Sequence, residues 1–197
     1  MPLLATPAPA PALRTVLAAL ASPTAVRKAT PALRRHQGSV TPQHPLPLHV
    51  LDTSGDGIRV PATRLGGWRF QIRGDDGVVA AAEAMLTADG WAFSHFFEGP
   101  YVTSTERALR QAESLPTPLQ PRLLSIPGLY MLTLWLHADT AADGAAGRLD
   151  PDDLLIPLAP APCGFAAHRP HRVADFMPLL SNRLVPAAPA GLLRSSV

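Results

Sequence analysis

A chain of 197 residues has room for one ordinary domain and not for two comfortable ones. With 47% hydrophobic and 16% charged residues it can build a core, which excludes the highly charged disordered class. The net charge of +2 conceals a polarity: residues 1–51 carry +5 and no acid, 52–175 carry −5, and the remainder carries +2. An acidic body excludes a basic nucleic-acid-binding domain, and five dispersed basic residues on an arm make only a weak phosphate-binding surface.

The 23 prolines are about twice the usual number, and Lys28 is the single lysine, the composition expected of a GC-rich bacterial gene. Cys163 is the single cysteine, so no intramolecular disulfide forms and a reducing, cytoplasmic setting is expected. No apolar run approaches the ~18 residues of a membrane span. The apolar stretch from Leu13 follows four prolines and no basic residue, unlike a secretory signal.

In chain order, residues 1–46 read as a Pro/Ala-rich basic arm with one short helix. Leu13, Val16, Leu17 and Leu20 fall at i, i+3, i+4 and i+7, and Pro11 suits a first helical turn. Pro23 ends that helix, and Pro31 interrupts a second one through Arg35. A helix this short is marginal alone, so the stripe predicts docking on a partner protein or on the chain itself.

Strands are expected at 48–51, 58–61 and 67–73, the last with Trp68, Phe70 and Ile72 on one face. Asp75 or Asp76 can cap a helix through Thr87 with Val78, Val79, Ala82, Met85 and Leu86 as its stripe. A strand at 91–97 places Trp91, Phe93, His95 and Phe97 on one face, and Gly99-Pro100 breaks it. Thr103 and Glu106 have capping-box spacing for a helix to about residue 115.

Residues 122–137 are the most apolar stretch, which Pro127-Gly128 makes into two strands or one bulged strand, and 130–137 is apolar on both faces, the mark of a central strand. A polar loop comes next, then a strand at 153–158 pairing back as a hairpin, and a short helix at 173–180. The reading is an α+β fold. One mainly antiparallel or mixed sheet of five or six strands carries two covering helices, preceded by the partly helical arm. A single domain spans 47–183, with a flexible tail at 184–197.

Three constellations can carry chemistry. Trp91, Phe93, His95, Glu98 and Tyr101 form the densest aromatic patch with polar members, the composition of a small-molecule pocket. Cys163, His168 and His171 have soft ligands suited to zinc, in a spacing that lacks a fourth ligand, and Cys163 could pair with His168 or His95 as a nucleophile. Asp52, Ser54 and Asp56 imitate a calcium loop, but Thr63 stands where the bidentate Glu belongs.

The sequence has no G-x-S-x-G elbow, phosphate loop, dinucleotide glycine motif, H-E-x-x-H or paired C-x-x-C. These readings favour a non-enzymatic accessory or protein-interaction protein, with no cofactor, no membrane and no nucleic acid. Its partner protein would bind through the Leu13, Val16, Leu17 and Leu20 stripe. The alternative is a ligand-binding protein or small enzyme using the patch around His95.

Overall fold

The computed structural model describes residues 3–27, 31–52 and 62–184. Three helices lead, α1 (Ala10–Leu20), α2 (Pro23–Arg27) and α3 (Pro31–Arg35). A four-strand meander comes after them: β1 (Thr41–Leu51), β2 (Thr63–Gly74), β3 (Gly77–Thr87) and β4 (Gly90–Phe97). After α4 (Pro100–Glu113) come β5 (Gln120–Ile126), β6 (Met131–His137), β7 (Leu154–Pro157), β8 (His171–Arg172) and α5 (Val173–Leu184). All eight strands form one mixed sheet in the order β4-β3-β2-β1-β5-β6-β7-β8. Every pairing is antiparallel except β1 with β5, reached by the crossover through α4.

The α+β class with one mixed sheet holds, but eight strands and five helices replace the expected five or six strands and two helices. The largest difference is at 75–87, which is strand β3 rather than a helix. Gly74 pairs with Gly77 across Asp75-Asp76, so the acidic pair makes a hairpin turn instead of a helix cap. The alanines that favour a helix locally serve packing here. Ala80, Ala82 and Ala84 lie buried beneath Ala12, Val16 and Ala19 of α1, and small side chains on both elements let helix and sheet approach closely.

Prolines also hid the start of β1. Pro42 and Pro45 stand where β1 pairs with β2 alone, because β5 joins only at Leu48–Val50. That half of the strand behaves as an edge, where a missing N–H is tolerated. A bulge between Gln43 and Leu46 lifts His44 and Pro45 out of the ladder, with His44 at φ +46°. β1 spans residue 46, the boundary expected from composition, so the N-terminal segment and the body share a sheet.

One sheet face carries α4, with Leu46, Leu109, Leu123, Leu134 and Ile156 among its buried residues. The other carries α1 and α3 over β2–β4, and α5 with the 138–153 loop over β5–β7. The β5–β6 hairpin is buried on both faces, as its apolar run predicts, and Pro127–Leu129 forms the short 3-10 turn between its strands. The helix after β4 begins at Pro100, with Gly99 at φ +113° ahead of it. The Thr103–Glu106 capping box is therefore not used, and the Thr103 hydroxyl donates to Pro100 O instead. α5 runs through Pro178 to Leu184, past the expected end.

The N-terminal segment crosses the end of the sheet. Leu3 packs on the α4 side, the Leu4 N–H donates to Leu119 O at 3.0 Å, and Ala8 packs on the α1 side. Among the described residues no helix is long and apolar enough to cross a membrane. The expected strand at 58–61, most of the calcium-like loop and the tail from 185 lie outside the described residues.

Candidate functional site: a free sheet edge opposite a buried polar clamp

The meander β1–β4 builds outward from β1, and the Gly99-Pro100 break then carries the chain back across the sheet to β5. This leaves β4 as the terminal strand. Its neighbour on one side is β3, and among the described residues nothing pairs with its outer side. Gly90–Phe97 reads GWAFSHFF, four aromatic residues and no formal charge from Asp, Glu, Lys or Arg. Natural edge strands are commonly short, charged, interrupted by proline or covered, because their outward N–H and C=O groups template pairing with another chain. The opposite edge obeys that rule: β8 is two residues long and runs straight into α5.

A bulge divides β4. Glu83 pairs with His95 and Ala84 with Phe93, so Ser94 has no partner on β3. Trp91, Phe93 and Phe96 therefore face α1, while His95 and Phe97 face the α4 side. Apolar side chains stand exposed beside the strand: Met85 and Leu86 on the β3–β4 hairpin are 46% and 55% exposed, and Leu17 on α1 is 46% exposed.

The expected aromatic constellation is thus split. Trp91 and Phe93 pack into the α1-side cluster, Phe93 with its ring 4.6 Å from Phe96. His95 is exposed, with Nδ1 2.9 Å from Ser94 Oγ. Glu98 accepts the Ala32 N–H at 3.0 Å and so holds the start of α3. The Tyr101 hydroxyl lies 3.0 Å from both Tyr130 O and Pro160 O, and burial pushes its pKa up against the pull of Arg69. In the helical stripe, Val16 is fully buried and Leu13 and Leu20 pack on the same cluster, which leaves Leu17 facing out.

Cys163, His168 and His171 are not gathered: no group of three or more His, Cys, Asp or Glu with metal-holding geometry occurs among the described residues. Cys163 is exposed, His168 Nε2 lies 3.1 Å from Ser104 Oγ, and the His171 ring lies against Phe176. Burial lowers the pKa of both histidines, with Arg107 adding to the effect at His168 and Arg169 at His171, where Asp175 opposes it.

A second polar assembly went unread in the sequence. Arg122 on β5 is completely buried. Its Nε donates to Gln120 Oε1 at 2.6 Å, Nη1 to Ala146 O and Nη2 to Asp143 O, while the guanidinium sits 4.7 Å from the Trp135 ring centre. Trp135 Nε1 donates to the buried Asp153 carboxylate at 2.7 Å, which also accepts from His137 Nδ1 and from the Ala138 and Asp150 N–H groups. His49 Nε2 donates to Gly144 O at 2.9 Å, and Thr63 Oγ1 to Gly147 O.

Four of these donors end on backbone carbonyls of the 138–153 loop and four on the Asp153 carboxylate at its end, so the assembly fastens a loop onto the sheet. Burial drives the His49 pKa down to about 4, helped by the nearby Arg122 and His137 and opposed by the bond to Gly144. Burial also lowers the Arg122 pKa, opposed by Asp153, Asp143 and Asp139. With Arg122, His49 and Asp153 all fully buried, the clamp offers no surface to a substrate.

A shallow groove of about 400 Å³ lies elsewhere, between Leu3 and Ala5 of the N-terminal segment, His44 and Leu46 of β1, and Leu109 and Glu113 of α4. No protein-family profile, curated protein or solved structure matches this chain.

Proposed function

We propose that this chain is a non-enzymatic protein-interaction protein that binds its partner by accepting an added strand along β4. The observation that carries the reading is an eight-residue terminal strand, free of formal charge and rich in aromatic residues, on a sheet whose other edge is blunt. Main-chain hydrogen bonds supply the pairing. Exposed Leu86 and Met85, together with Leu17 on the helix that packs over β3 and β4, extend it with apolar contact. Of the four stripe residues only Leu17 is exposed enough to serve this role, the others being committed to the chain's own core.

The test is a photo-crosslinking side chain at Ala92, which is exposed on β4, in the full chain. Illumination is expected to give one discrete adduct, and the same group at exposed Arg148 should give none. Equal yields at the two positions, or no adduct at Ala92, would sink the reading.

A further inference from the structure

Resting on that reading, we infer that the occupant of the β4 edge is a second copy of this chain, paired antiparallel about a two-fold axis centred on Ala92. The edge is chemically self-complementary. Gly90–Phe97 has no Asp, Glu, Lys or Arg, so two copies meet without like charges directly opposed. It also offers no charge with which to select a charged peptide.

The bulge sets the register. Trp91, Ala92 and Phe93 form the regular run before Ser94, pairing with Leu86, Met85 and Ala84 of β3. Centring that run on itself places Trp91 opposite Phe93 of the second copy on the α1 face, twice over, and Ala92 opposite its own counterpart on the α4 face. Aromatic pairs across an antiparallel ladder are among the stabilising ones, and paired alanines leave room for the strands to close. The same operation brings the exposed Leu86 and Leu17 of each copy toward the joint.

The fold also fixes the stoichiometry. Head-to-tail growth needs two usable edges, and the other edge, β8, is two residues long and leads directly into α5. One long edge and one blunt edge give a closed dimer and no filament.

The experiment uses sedimentation equilibrium of the full chain over a wide concentration range, with Ala92→Lys and Ala92→Asp as variants. The wild type should be a reversible dimer. Each variant alone should be a monomer with the far-ultraviolet spectrum of the wild type and the thermal midpoint that the wild type shows at dissociating dilution, and an equal mixture of the two should recover the dimer. Recovery on mixing separates a direct contact at residue 92 from simple misfolding.

A wild-type dimer that persists unchanged in both variants would overturn the inference by placing the joint elsewhere. A wild-type monomer at every concentration would also overturn it. In that case an Ala92 adduct to a different protein would leave strand addition standing, and its absence would remove both readings.

Discussion

The two halves of the sheet differ in how far their polar groups are committed within the chain. Around β5 and β6 both faces are covered, and Arg122, Asp153 and His49 are buried only because nearly every donor finds a carbonyl or carboxylate. Around β4 the commitment is smaller: the Arg69–Glu83 ion pair is made between β2 and β3, but among the described residues the outer backbone edge of β4 is unpaired and apolar side chains stand outside. The inner half is stabilised by buried polar groups that are costly to leave unpaired, whereas the outer strand β4 has one row of backbone groups with no strand partner among the described residues. Stability should therefore be sensitive on one side of the sheet and association on the other.

The sharpest break of this contrast is Arg122→Met. It strands the Asp143 and Ala146 carbonyls and leaves the buried Asp153 carboxylate without its nearby cation. Urea unfolding should show a loss of about 3–5 kcal/mol, and a loss below about 1 kcal/mol would mean that the loop is held by other contacts.

Acid tests the same clamp through His49. Its folded pKa of about 4 lies below the ordinary value of 6.5, so the unfolded chain takes the proton first as pH falls. The contribution is intact above pH 6.5 and is lost progressively as pH drops toward about 4. The full difference is on the order of 3 kcal/mol. His49→Gln cannot titrate, so its unfolding free energy should fall less over that window, and parallel curves for the two proteins would contradict the assignment.

On the outer half, Ala82→Leu forces extra volume between β3 and α1, where Ala82 is fully buried. A loss of about 1–3 kcal/mol in the same measurement is expected. The smallest effect belongs to Ala92→Lys on the exposed edge, where monomer stability should stay within about 0.5 kcal/mol while association disappears. A large loss of monomer stability there would show that β4 is already committed within the chain.

Much of the candidate site was legible in parts. The aromatic run at Trp91–Phe97, the break at Gly99-Pro100 and the apolar hairpin around Pro127 were all visible, because period-two alternation and proline punctuation are local signals. The bulge at Ser94 was not, since nothing in a strand's own sequence says that its neighbour skips one residue. That omission placed His95 on the same face as Phe93, where the structure separates them. Arg122 at the head of an apolar run was the one available hint of the clamp, but the loop carbonyls it holds, of Asp143 and Ala146, lie more than twenty positions downstream.

By itself the sequence determined the α+β class, the apolar β5–β6 strands, the polar loop after them and the apolar stripe of α1, all of which come from hydrophobic period and composition. Only the tertiary structure decided that the alanine-rich 77–87 segment is a strand, because helix propensity is worth a few tenths of a kcal/mol per residue and close packing under α1 outweighs it. It alone decided that β4 ends the sheet, since strand order comes from where α4 returns the chain and not from the residues of β4. The same local chemistry makes a core strand or a terminal strand depending on what lies beside it.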